Sequence, residues 1–203
     1  MPKPAIDCVL RVNPDLTFPF TDHAATLLLE NDGHSATALA EETEVLYEIL
    51  SRHMAAEPLL AVSSAQRDSF WAVRKRIREA IAREGDFIEA DAVVPRQQLP
   101  ALIDAALATG DAFGIPVVSY GHAGDGNLHT YFHTKETTQY DRILEHFFDQ
   151  VVSMGGTISG EHGIGALKRP HLARAQSESQ RQIQHGIKVA FDPLGILNPR
   201  KVV

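Results

Sequence analysis

Pro116-Val117-Val118-Ser119-Tyr120-Gly121-His122-Ala123-Gly124-Asp125-Gly126-Asn127-Leu128-His129-Thr130-Tyr131-Phe132-His133 reads as two strands joined by a glycine-rich turn. The segments 116–120 and 127–133 are separated by the glycine loop, which is too short for a crossover helix. The two strands must therefore run antiparallel. Alternation along the second strand places Asn127, His129, Tyr131 and His133 on one face and Leu128, Thr130 and Phe132 on the other. The polar face is the candidate site face.

Downstream of the hairpin, Tyr140, Ile143, Leu144, Phe147, Phe148, Val151 and Val152 recur at three and four residues, which predicts an amphipathic helix broken at Gly155-Gly156. A short strand at 157–159, a Glu161-His162 segment and a last helix over 177–190 follow. Upstream, strand and helix alternate. Strands are expected at 24–29, 59–62 and from Phe87 to Pro95, with helices after Ser35, after Ser63-Ser64 and around 99–107. Residues 1–22, with four prolines and one apolar run at 8–12, read as a partly irregular arm ahead of a domain over 23–203. The expected class is α+β, a largely antiparallel sheet flanked by helices.

A chain of 203 residues with 44% hydrophobic content can bury a real core and suits one domain with at most a small appendage. A formal charge of −7 argues against a broad nucleic-acid footprint, although ten histidines make the charge sensitive to pH near neutrality. Cys8, the single cysteine, excludes an internal disulfide and every cysteine-based zinc motif, so a metal site must use histidine and carboxylate. No apolar run approaches the roughly 18 residues that span a bilayer, and no signal pattern opens the chain. The cytoplasm is the expected location.

The chemistry concentrates in the glycine hairpin and in Gly160-Glu161-His162-Gly163-Ile164-Gly165. The turn can fold His122 back beside His129, and the second segment can bring Glu161 to them. Two imidazoles and a carboxylate suit a borderline divalent ion, with zinc first and manganese or cobalt as alternatives. Positions left open on such an ion imply catalysis, and His162 is then the candidate general base. Glycine-histidine loops also make plain turns, and many exposed histidines carry no function.

Phe70-Trp71-Ala72-Val73-Arg74, Tyr120 to His129, Gly160 to Gly165 and Phe191-Asp192-Pro193-Leu194-Gly195-Ile196-Leu197-Asn198-Pro199 together resemble the C-terminal cap domain of FAD-linked oxidases. This group holds the D-lactate and D-2-hydroxyglutarate dehydrogenases and the glycolate oxidase D subunit, within the vanillyl-alcohol oxidase superfamily. The resemblance implies a cap over an FAD held mainly by a separate domain or subunit and a small 2-hydroxyacid as substrate; the acidic charge leaves no nucleic-acid partner expected. It implies His122, His129 and Glu161 as metal ligands and His162 as the base that deprotonates the 2-hydroxyl. Arg74 matches an arginine that pairs with the substrate carboxylate, although a solvated helix face accounts for it as well. Asn198 is placed toward the flavin, or else simply ends a helix.

Three positions depart from the 2-hydroxyglutarate pattern: Arg78 stands for a threonine, Glu89 for a lysine and Tyr131 for an asparagine. All three bear on substrate choice, with Arg78 and Tyr131 on the substrate side. Arg200 replaces the usual glycine after Asn-Pro. The FAD-binding domain is not recognisable in these residues, so the isolated chain is expected to be inactive. Two competing readings are a flavin-independent metal-dependent hydrolase or lyase, and a non-catalytic module that binds a flavin-bearing partner.

Overall fold

In the computed structural model, residues 1–199 are described, and Arg200 lies outside them. The chain divides into two compact units, Met1–Arg83 and Glu84–Val203.

In the first unit, part of the expected irregular arm is a helix, α1 (Lys3–Val12). Its early proline is tolerated because the first turn has no intrahelical N–H partner to lose. Ala5, Ile6, Cys8 and Val9 are buried, and α1 packs on α3 (Ser64–Arg83), whose buried residues are Val73, Ile77, Ala80 and Ile81. Between them in sequence comes α2 (Ala36–His53), capped where Ser35 Oγ accepts the Ala38 N–H at 3.3 Å. The runs 24–29 and 59–62 are not ladder strands. The first makes a single bridge, Pro2 to Ala25, and the second is irregular. A short apolar run bounded by turn residues is compatible with a strand, but a strand also needs an edge to pair with. Leu27, Leu29, Leu59 and Leu60 instead line an apolar cavity of about 740 Å³ with Leu46, Leu50 and Trp71.

The second unit is built on β1 (Phe87–Val93), β2 (Val117–His122) and β3 (Asn127–His133), in the order β1-β3-β2 and antiparallel throughout. The hairpin expected from the sequence is β2–β3. Its turn needs glycine at position 126, where φ is +77 and a Cβ would stand 2.0 Å from the Val94 carbonyl oxygen. Helices α4 (Leu99–Phe113) and α5 (Tyr140–Ser153) contribute to the core, which gathers Ile88, Ala90, Leu128, Phe132, Phe147, Phe148 and Val151. Each fully buried aromatic or aliphatic side chain contributes about 1.5–3 kcal/mol. The strand expected at 157–159 is reduced to a bridge between Val93 and Thr157, because the chain turns at Gly160 to dock elsewhere on β1. Single turns α6 (Gly165–Lys168) and α7 (Leu172–Ala175) lead into α8 (Glu178–Phe191), opened by a Ser177–Gln180 capping box. Among the described residues, no helix is long and apolar enough to cross a membrane.

Candidate functional site

Register builds the site. On β3, the face opposite Leu128 and Phe132 carries Asn127, His129 and Tyr131, and directly opposed residues of antiparallel strands share a face. Asp91 is paired with His129 and Glu89 with Tyr131 across β1, while Tyr120 lies opposite His129 across β2. One sheet face therefore collects two carboxylates, an imidazole and two phenols. His122 stands at the end of β2, opposite Asn127.

Asp91 attaches the Glu161-His162 segment to this face. Its Oδ2 accepts the backbone N–H groups of Gly160, Glu161 and His162 at 2.9, 3.0 and 2.9 Å. The Asn127 amide donates to Oδ1 at 2.8 Å. Lys168, itself buried, places Nζ 3.7 Å from Oδ2. Burial opposes the charge of Asp91, but the nearby His129 imidazole, the His162 N–H, the Asn127 amide and the Lys168 ammonium outweigh it. They hold the carboxyl well below the usual carboxylate range. Burial also pushes the Lys168 ammonium down from its ordinary value, against the pull of Asp91 and Glu89. Gly160 is required by this close docking, since a Cβ there would lie 1.9 Å from Asn127 Nδ2.

With the segment held there, Glu161 meets both histidines. Its Oε1 lies 3.3 Å from His129 Nε2 and 3.8 Å from His122 Nε2, and the three ligand atoms fall within 4.8 Å of one another. Ligands about 2.1 Å from a tetrahedral zinc stand roughly 3.4 Å apart, so the spacing fits a divalent ion. The charge balance fits as well: three carboxylates, Glu89, Asp91 and Glu161, gather here, and among the described residues Lys168 is the ammonium that approaches them, at Asp91. His129 Nδ1 is buried with no hydrogen bond, and Asp91 Oδ1 lies 3.4 Å away, the place of the carboxylate that orients a metal-bound imidazole.

His162 stacks on His129, ring centroids 5.0 Å apart and planes 14° from parallel. Its Nδ1 is 3.3 Å from Glu89 Oε1, and its Nε2 is 3.9 Å from Glu161 Oε1. Tyr131 is fully buried and its hydroxyl donates to Glu89 Oε1 at 3.0 Å. Burial, then Tyr120 and Glu89, push that phenol well above its ordinary value, so it acts as a hydrogen-bond donor.

A family model described as FAD linked oxidases, C-terminal domain, matches residues 1–202. The chain belongs to that family. The D-lactate dehydrogenase of Anaerostipes hadrus is 35% identical over 189 residues, covering 90% of this chain and 40% of that protein. Glycolate oxidase subunit GlcD of Escherichia coli is 34% identical over 186 residues, covering 89% and 37%. The D-2-hydroxyglutarate–pyruvate transhydrogenase of Saccharomyces cerevisiae is 31% identical over 216 residues, covering 100% and 44%. The chain thus spans about two fifths of the length of the curated relatives it matches.

This FAD-linked oxidase domain gathers five of the singled-out residues, His122, His129, Tyr131, Glu161 and His162, in its second unit. Arg74, half-buried, and Arg78, exposed, lie on α3 in the first unit. Asn198 is exposed with φ +45, a left-handed conformation that asparagine tolerates, in a turn after α8. That turn is organised by Asp192, whose carboxylate accepts the N–H groups of Ile196 and Leu197. The glycine loop 121–126 joins two strands and opens no helix, so it does not fit the pyrophosphate of a dinucleotide.

Asp91 and Lys168 were not among the sequence-derived site residues. Asp91 carries a signal in hindsight, because Glu89 and Asp91 alternate with Ile88, Ala90 and Ala92 as the polar residues of β3 alternate with its apolar ones. Lys168 carries none, since an isolated lysine in a short turn reads as a surface charge.

Proposed function

We propose that this chain is the metal- and substrate-binding domain of an FAD-dependent 2-hydroxyacid dehydrogenase. The observation that carries the reading is the approach of two imidazole Nε2 atoms to one oxygen of Glu161 in a member of the FAD-linked oxidase family. His122, His129 and Glu161 hold a divalent ion, zinc first, with manganese or cobalt as alternatives. The ion, when bound, polarises the substrate oxygens and acidifies the 2-hydroxyl.

His162 accepts the 2-hydroxyl proton, and its open Nε2 edge is the basic atom on the Glu161 side. Arg74 and Arg78 are taken as carboxylate donors on the chemistry of the guanidinium alone. Tyr131 acts on the substrate side through Glu89, whose position its hydroxyl fixes. The substrate is a small D-2-hydroxyacid converted to the 2-oxoacid, and Glu89 disfavours a second substrate carboxylate. FAD serves as the hydride acceptor and is held mainly by a domain or subunit outside these residues, with Asn198 as the residue offered toward it.

The test is crystallographic. Crystals of the full chain soaked with zinc or manganese should give an anomalous peak bounded by His122, His129 and Glu161. A peak elsewhere, or none in a fully loaded sample, overturns the reading.

A further inference from the structure

The geometry points to Glu89 as the positioning residue of His162: its carboxylate holds the proton on Nδ1 of that imidazole and leaves the Nε2 lone pair free to accept one. This rests on the reading of His162 as the base. Beyond disfavouring a second substrate carboxylate, Glu89 contacts the imidazole itself.

Glu89 Oε1 lies 3.3 Å from His162 Nδ1 and accepts the Tyr131 hydroxyl at 3.0 Å. Tyr131 is fully buried and opposite Glu89 in the β1–β3 register. Its hydroxyl is also 3.1 Å from that of Tyr120, with the two rings stacked. A side chain tied to a buried phenol on a sheet has few rotamers left, so the oxygen that faces His162 is fixed by the core.

The other carboxylate that approaches Nδ1 is already committed. Asp91 Oδ2 is 4.0 Å from His162 Nδ1 and takes three backbone N–H groups. A carboxylate oxygen has about two lone pairs, so little capacity remains there for the imidazole. Stacking on His129 at 5.0 Å also resists the ring flip that would exchange Nδ1 and Nε2. A neutral imidazole carries one proton, and the nitrogen that keeps it is set by the acceptor it meets. Glu89 and His162 thus form a carboxylate–imidazole pair of the kind that orients a general base.

Nuclear magnetic resonance tests this on the metal-free full chain with ¹⁵N-labelled histidine, at a pH where the imidazoles are neutral. Long-range ¹H–¹⁵N correlations should show the His162 proton on Nδ1 in the wild type and shifted toward Nε2 in Glu89→Gln, with Glu89→Asp restoring part of the Nδ1 population. A wild-type proton on Nε2, or an unchanged Nδ1 proton in Glu89→Gln, overturns the proposal. The remaining histidine signals report whether each variant is folded.

Zinc calorimetry supplies a second arm, because Glu89, His129 and His162 also stand close enough to act as ligands themselves. Zinc affinity in Glu89→Gln should stay within a few-fold of wild type; a loss beyond about 100-fold, more than an orienting partner costs, makes Glu89 a ligand and overturns the assignment. Wild type that binds no zinc sinks the proposed metal site instead, and the tautomer result still decides the role of Glu89.

Discussion

Asp91 and His162 stand 71 positions apart in sequence, and Asp91 Oδ2 accepts the backbone N–H of His162 at 2.9 Å. The same carboxylate holds the N–H groups of Gly160 and Glu161, so one buried charge anchors the proposed ligand and the proposed base together. Asp91→Asn turns half of this acceptor into a donor facing donors. The loss should be about 3 kcal/mol or more, as for breaking a buried charged network, read by urea unfolding. The amides of 160–162 should lose hydrogen-exchange protection before those of β3. Stability equal to wild type would show that Asp91 anchors nothing.

Zinc binding should separate ligands from neighbours. His129→Ala and Glu161→Gln are each expected to lose more than the about 10–100-fold typical of an orienting partner, whereas His162→Ala keeps most of the affinity. Calorimetry on the full chain reads this directly, and equal losses in His162→Ala and His129→Ala would make His162 a ligand.

In the flavin-containing enzyme, His162→Ala should lower kcat by about 10²–10⁴ at unchanged zinc content, the range for loss of a general base. Metal analysis beside steady-state kinetics checks it. A variant with normal kcat removes His162 from proton transfer.

Gly160→Ala introduces a methyl group 1.9 Å from Asn127 Nδ2 and 2.9 Å from Asp91 Oδ1. The docked segment must shift, at a cost of about 1–3 kcal/mol for overpacking, and zinc affinity should fall with it. An alanine variant with wild-type midpoint and zinc affinity would mean that the segment is not held at this spacing.

His133 offers a pH signature away from the metal ligands. Burial lowers its pKa below the 6.5 of an ordinary imidazole, with Glu84 opposing. The folded state therefore resists protonation that the unfolded chain accepts. The penalty is absent above pH 6.5 and grows as pH falls below it, until the folded imidazole also protonates. Thermal midpoints of His133→Asn should fall less steeply than wild type below pH 6.5; parallel curves would refute the assignment.

Much of the site face was readable in one strand. Alternation in 127–133 separates His129 and Tyr131 from Leu128 and Phe132 because side-chain direction has a period of two, whatever the strand pairs with. The glycine turn sets the antiparallel sense of β2 and β3, and the Ser177–Gln180 box places the start of α8, each by interactions spanning a few residues. The runs 24–29 and 59–62 misled for the complementary reason: apolar composition is local, but a ladder needs a second edge. Helix α1 was hidden by prolines that read as irregular chain yet are compatible with a first turn.

By itself, then, the sequence determined the α+β class, the hairpin with its polar face, and a candidate set of histidine and carboxylate groups, all consequences of residue type and short-range geometry. Only the tertiary structure decided that β1 pairs with β3, which sets Asp91 beside His129 and Glu89 beside Tyr131. It also decided that the Glu161-His162 segment closes on Asp91 with Lys168 behind it. A buried carboxylate is stable only where several donors reach it at once. Those donors come from segments tens of residues apart, and no local pattern records their meeting.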